Sequence, residues 1–240
     1  ADLSADSVSG LLSLTDPDYN FTGKELSYYL KSVQNDKKDS GYENDVIGAG
    51  VSLSYEKFKD IYFSPGLSLT YDDLTTDNTA SALLKKQSGS STDLMFDYAL
   101  SSDKRDRRFM PTAGHLTSFY QQLPVFADQP HLKNNFSTRH YKEFSEDMIG
   151  ALKFGVTAIN GLNDEDVRIS QRLNLSTFKL RGFEPGKIGP KDGDDFIGGN
   201  YSTSLNLEAN FPNFFPEKSN ADLGLFLDAG NVWWVDYSDS

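Results

Sequence analysis

The residue types that carry covalent chemistry are scarce in this chain. Cysteine is absent, so thiol nucleophiles, disulfides and thiolate metal sites are excluded. The three histidines, His115, His131 and His140, lack the short His-x-x-x-His spacing that places two imidazoles on one metal ion. They are read as structural or solvated. Asp192-Gly193-Asp194-Asp195 has the flavour of a calcium loop but not the glutamate that the twelve-residue loop requires. A solvated loop tip suits it better. There is no Gly-x-Ser-x-Gly elbow, phosphate loop or dinucleotide fingerprint. Acid pairs occur, but nothing fixes two carboxylates at a catalytic spacing. These residues argue for neither an enzyme nor a cofactor.

One constellation suits non-covalent chemistry. Residues 179–199 form a long connection rich in glycine, with Pro185 and Pro190. Connections of this length tend to be functional or disordered. Leu180, Phe183 and Ile188 make its first part too apolar for a hydrated loop, so it is expected to pack inward. The two segments that follow place Glu208 and Asp228 on their polar faces. An inward-folded loop would bring Arg181 to both acids, and a guanidinium binds carboxylates through its planar fork. Gly182 would permit a sharp turn beside it. From spacing alone, an ordinary surface arginine is the more usual assignment.

The elements that must position these residues show a period of two, the pattern of half-buried strands. In 61–71, Ile61, Phe63, Leu67, Leu69 and Tyr71 share one face and Ser64, Gly66, Ser68 and Thr70 the other. In 203–211, Leu205, Leu207, Ala209 and Phe211 oppose Asn206, Glu208 and Asn210. In 222–230, Leu223, Leu225, Leu227 and Ala229 oppose Asp222, Gly224, Phe226, Asp228 and Gly230. In 167–175, Val167, Ile169, Leu173 and Leu175 oppose Arg168, Ser170, Arg172 and Asn174. Weaker alternation marks 6–14, 24–34, 45–57, 92–102, 113–123, 137–146 and 148–160. About eleven antiparallel strands are expected, several longer than globular strands usually are. Lys57 to Asp60 and Asn160 to Asp164 read as short turns, and 72–91, 124–136 and 179–199 as long polar loops. Short turns at one end and long loops at the other suit an outer-membrane barrel. A soluble sandwich also alternates, so both architectures stay open on periodicity alone.

Composition narrows the partners. The 240 residues carry a net charge of -12 and 13% aromatic residues. No basic stripe is present, which argues against nucleic acid. Acid clusters such as Asp72-Asp73 and Asp192 to Asp195 read as solvated loops. No apolar run is long enough for a membrane helix, but barrel strands are only half apolar. The start, Ala1-Asp2-Leu3-Ser4, has no secretory leader pattern. Either a signal was removed or the chain begins within a longer protein.

The motifs then resemble a known family. Leu180-Arg181-Gly182-Phe183 is similar to the V-R-G-F signature of the BamA-type outer-membrane barrels, and Ile188-Gly189-Pro190 and Gly198-Gly199-Asn200 continue the match. So do Ser204 to Glu208 and Phe226 to Trp233. Asp103-Lys104-Arg105-Asp106 with Phe109 to Gly114 resembles the family's D-x-R-x-x-x-x-x-P-x-x-G turn, and Thr15 to Tyr19 the end of its third strand. The resemblance implies an all-β, antiparallel transmembrane barrel of sixteen strands, preceded by POTRA domains. This chain would hold about eleven of those strands, the third to the thirteenth. The resemblance also implies that Arg181 packs inside the barrel against Glu208 and Asp228, with Phe226 as a neighbouring lumen aromatic. The expected function is folding and inserting barrel proteins in the outer membrane of a Gram-negative bacterium. The expected partners are unfolded outer-membrane proteins, accessory lipoproteins and outer-membrane lipid. A related translocation barrel, TamA-like or of two-partner secretion, is the alternative; a passive porin ranks below it. The end at Tyr237-Ser238-Asp239-Ser240 lacks a closing aromatic strand, so an incomplete barrel is expected.

Overall fold

The computed structural model describes residues 2–4, 7–212, 214–219 and 221–236; the segment 237–240 lies outside them. Its elements run β1 (Asp2–Ser4), β2 (Ser7–Asp16), β3 (Glu25–Lys37), β4 (Tyr42–Phe58), β5 (Ile61–Thr76), α1 (Ala82–Lys86), β6 (Gly89–Asp103) and β7 (Gly114–Ala127). They continue with β8 (His131–Ser145), β9 (Met148–Gly161), β10 (Lys191–Asp192), β11 (Asp195–Phe196), β12 (Tyr201–Phe211) and β13 (Leu223–Trp233). One eleven-stranded antiparallel sheet has the order β1 to β9, then β12 and β13, while β10 and β11 form a separate hairpin. The sheet is open, because β1 and β13 do not pair. Apart from β1, its strands run from 10 residues in β2 to 17 in β4, enough to cross a bilayer at a tilt.

Burial decides between sandwich and membrane barrel. Leu12, Leu30, Ala49, Leu69 and Leu94 follow one another across β2 to β6 on the outer face. Leu12 and Leu30 are 70% and 58% exposed. The opposite face buries Asn44, Ser68, Asp72, Ser202, Ser204 and Asn206. A sandwich buries its apolar face against a second sheet. Here the polar face is inside and the apolar face outside, the arrangement of a barrel wall in lipid. No helix among the described residues is long and apolar enough to cross a membrane.

The inward face keeps its parity along β12 and β13. Register shifts occur near Glu56 in β4, opposite Met95 at Pro124 and Phe126 of β7, and near Glu143 in β8. Each such shift flips the parity beyond it. The β9–β12 and β12–β13 ladders carry none.

Four expectations are corrected. Residues 167–175 form no strand: a short 3-10 turn covers Ile169–Gln171, and a single bridge joins Leu173 to Gly199. Val167, Ile169, Leu173 and Leu175 are buried, and so are Arg168 and Arg172. The alternation is genuine, but the segment packs both faces inside the lumen. The three-residue β1, not seen in the sequence, restores the count of eleven. Residues 124–136 are no long loop either, since β7 and β8 reach almost to each other and leave 128–130 as the turn. Asn160 to Asp164 is not a short turn but the start of a connection spanning 162–200. Asp72 is not in a solvated loop: it lies in β5, 2% exposed. Leu74, fully buried, carries that strand on to Thr76.

The connection 162–200 shares one end of the sheet with 38–41, 77–88 and 128–130. The other end carries 17–24, 59–60, 104–113, 146–147 and 212–222. Long and short connections therefore mix at both ends. What sets the first end apart is that its longest connection folds back into the lumen.

Candidate functional site

β12 builds the site by register. Asn206 stands opposite Asp228 on β13 and Lys153 on β9; Glu208 stands opposite Phe226 on β13. These are two successive inward rungs, and Arg181 of the long connection straddles them. Its backbone N–H and Nε donate to Asp228 Oδ2 at 3.0 and 2.7 Å, and Nη2 donates to Asp228 Oδ1 at 2.6 Å. Nη2 also lies 3.0 Å from Glu208 Oε1. The guanidinium carbon sits 3.8 Å from the centroid of the Phe226 ring. The fork suits a carboxylate and the flat cation suits an aromatic face. The structure thus brings Arg181, Glu208, Phe226 and Asp228 together.

Neighbours tighten this cluster. Asn206 Nδ2 donates to Asp228 Oδ1 at 2.7 Å and to the Lys179 carbonyl at 2.9 Å. Lys153 Nζ pairs with the other carboxylate oxygen of Glu208 at 2.7 Å. Leu180 is buried with Leu175 and Val232, and Ile188 packs on them. Gly182 has φ +84, and a Cβ there would touch nothing within 4 Å. Backbone conformation, not space, calls for glycine. Phe183 is 58% exposed. Asn206 and Lys153 were missed from sequence; Asn206 shares the parity of Glu208 and could have been found by it, whereas Lys153 needed the β9–β12 register.

The charges are arranged for holding rather than for reaction. Arg181 is 31% exposed at its side chain and Asp228 4%. Each carboxylate oxygen of Asp228 accepts from at least one donor. Among the described residues, no group of three or more histidines or acids could hold a metal ion. His115 and His140 stack across β7 and β8 with centroids 5.4 Å apart, and His131 is buried. Beside the loop the lumen keeps a polar cavity of about 620 Å³ lined by Lys31, Asp97, Tyr120, Lys133 and Arg172.

The turn 104–113 is also built by its motif residues. Asp103 accepts Arg105 Nε and Nη2, each at 2.8 Å. Asp106 accepts the backbone N–H groups of Thr112 and Ala113 at 3.0 Å and the Thr112 hydroxyl at 2.8 Å. Gly114 has φ +92, and a Cβ there would fall 2.0 Å from the Lys104 carbonyl oxygen.

A family model described as the Omp85 superfamily domain matches residues 1–240. The chain belongs to the Omp85 superfamily. Outer membrane protein assembly factor BamA of Neorickettsia risticii is 25% identical over 208 residues, 85% of this Omp85 chain and 28% of that protein. The human sorting and assembly machinery component 50 homolog is 26% identical over 170 residues, 67% of this chain and 36% of that protein. The crystal structure of BamA from Haemophilus ducreyi lacking POTRA domains 1-3 matches with a TM-score of 0.83 at 24% identity. That match covers 95% of this chain and 50% of the other. The Omp85 chain therefore spans 28% and 36% of the length of the two curated relatives.

Proposed function

We propose that this chain is the barrel wall and lumen loop of an assembly factor that folds and inserts β-barrel proteins into the outer membrane of a Gram-negative bacterium. Membership of the Omp85 superfamily supports the reading, as does similarity to a bacterial protein named as an outer membrane protein assembly factor and to a human one named as a sorting and assembly machinery component. The observation that carries it is Arg181, which reaches from the connection into the lumen and is held by Asp228, Glu208 and Phe226.

No covalent step is needed. An unfolded client lacks partners for its backbone N–H and C=O groups, and an exposed sheet edge offers a complementary row. In lipid every such group must be paired, so templated pairing favours insertion. The loop lock, Leu180 to Phe183, keeps a defined wall behind that edge. Unfolded outer-membrane proteins are the clients; accessory lipoproteins and outer-membrane lipid are the other partners. The chain acts as part of this barrel domain, with 179–199 as its inward loop.

The test is replacement of the native gene by the full-length gene carrying Arg181→Ala or Asp228→Ala. Loss of outer-membrane barrel proteins from the membrane supports the assembly reading. Normal levels of all barrels, with loss of one secreted substrate, would point to a translocation barrel instead.

A further inference from the structure

The long connection meets the wall at a second place. Arg168 Nε donates to Asp72 Oδ2 at 3.0 Å, and Nη2 donates to the carbonyls of Asp72 and Gly89. Ser170 Oγ donates to the same carboxylate, and Asn44 Nδ2 donates to its Oδ1 at 2.7 Å. The side chains of this pair are 5% and 3% exposed, more enclosed than Arg181. Such a charge is tolerated inside only when paired and hydrogen-bonded. Asn44 in turn accepts from Asn35, which accepts from Ser7, at 3.0 and 3.1 Å. Asp72 thus ends a polar rung that runs inward-facing through β2, β3, β4 and β5.

Apolar packing supports the same place. Ile169 and Ile197, far apart along the connection, bury together with Tyr42, Leu74, Ala80 and Leu84. Gln87 Oε1 accepts from the Ile169 N–H at 2.7 Å, and Ser81 Oγ donates to Asp192. This cluster and the one around Leu180 share no residue. β6, β7, β8 and β9 lie between β5 and β12 in the sheet.

We propose that Arg168 and Asp72 form a second anchor, which positions the stretches around Ile169 and Ile197 independently of Arg181. The connection is then a brace from the β12–β13 wall to the β4–β6 wall. The proposal rests on the inward-loop part of the functional reading, and its readout does not depend on assembly activity.

The test uses the full-length protein in its membrane. This stretch has no native cysteine, so one introduced thiol reports one place, once any cysteine elsewhere is removed. Ile197→Cys reports the second anchor and Leu180→Cys the first. A membrane-impermeant maleimide reads local opening, which follows the stability of the local unit. Arg168→Ala is expected to speed labelling at 197 by at least about tenfold and to leave 180 within about twofold. Arg181→Ala should do the reverse. Unchanged labelling at 197 in Arg168→Ala overturns the proposal. So does joint exposure of both thiols by either substitution, since the connection would then be one unit. If Arg168→Ala gives no heat-modifiable barrel, Arg168→Lys takes its place, keeping the charge but losing the fork that bonds the Asp72 carboxylate and the Asp72 and Gly89 carbonyls together. It should speed labelling at 197 alone by about threefold, and no change there overturns the proposal equally. Failure of client assembly with these labelling patterns intact would instead refute the assembly function.

Discussion

Replacing Arg181 by alanine removes four contacts of the guanidinium and leaves one of the backbone. The Nε and Nη2 bonds to Asp228, the Nη2 contact with Glu208 and the stacking on Phe226 go; the backbone N–H bond to Asp228 stays. Breaking a fully buried pair costs about 3–5 kcal/mol. Two facts reduce that figure here. Arg181 is 31% exposed, so water screens part of its interaction. Asp228 also keeps Asn206, and Glu208 keeps Lys153. A loss of about 2–3 kcal/mol of docking is expected, or about 30- to 150-fold in the undocked population. Arg181→Lys should lose less, about 1–2 kcal/mol, because an ammonium keeps the charge but not the fork. The assay is the temperature at which the folded barrel loses its faster gel mobility, run beside maleimide labelling of Leu180→Cys. A change under about 0.5 kcal/mol for Arg181→Ala, or lysine as damaging as alanine, would refute fork geometry as the source of the lock.

Four further outcomes follow from the geometry. Gly182→Ala should cost about 1 kcal/mol, from backbone strain alone; a much larger shift in thermal gel mobility would mean unseen crowding. Gly114→Ala should cost about 3 kcal/mol or more, since its Cβ meets the Lys104 carbonyl as well; equality with Gly182→Ala in the same gel assay would count against it. Leu207→Lys puts a charge on the lipid face and should cost about 2–4 kcal/mol near the bilayer centre; unchanged urea unfolding in lipid vesicles would show the faces are reversed. The Asp106 carboxyl is held down to about 2, chiefly by the Ala113 N–H and then by Thr112. A lowered carboxyl stabilises the turn above its unfolded value near ~4 and loses that support as pH falls towards the folded one. The Thr112 amide resonance should therefore titrate with a midpoint well below ~4, and a midpoint at that ordinary value would contradict the turn's hydrogen bonds.

The wall was legible because its chemistry is periodic. Glu208, Phe226 and Asp228 could be placed on the inner face from parity, since β12 and β13 carry no bulge. The apolar first part of the loop pointed to Arg181 as the residue that could meet them, and the resemblance then favoured that role over an ordinary surface arginine. Arg168 was not legible for a physical reason. An extended segment that buries apolar side chains and sends arginines to wall acids has the same alternation as a strand, and only the missing neighbour tells them apart. Asp72 was hidden among acids near the end of β5, where Asp73 and Asp77 make a loop the easier reading. The polar stretch 124–136 read as a long loop, but β7 and β8 extend through most of it; Pro124 sits beside a bulge and Pro130 in the turn, both places that tolerate a missing N–H.

The two anchors reach along the chain in opposite directions. Arg168 bonds a residue 96 positions earlier, and Arg181 one 47 positions later. Closing chain segments of such length is slow. The partner of Arg168 precedes it in the chain, and the partner of Arg181 follows it. The brace therefore ties the connection back to β5 and forward to β13. With both ties made, one loop holds an early strand and a late strand of the same sheet at fixed places, so it serves as a tie-beam between walls that the strand ladder alone connects only through β6 to β9.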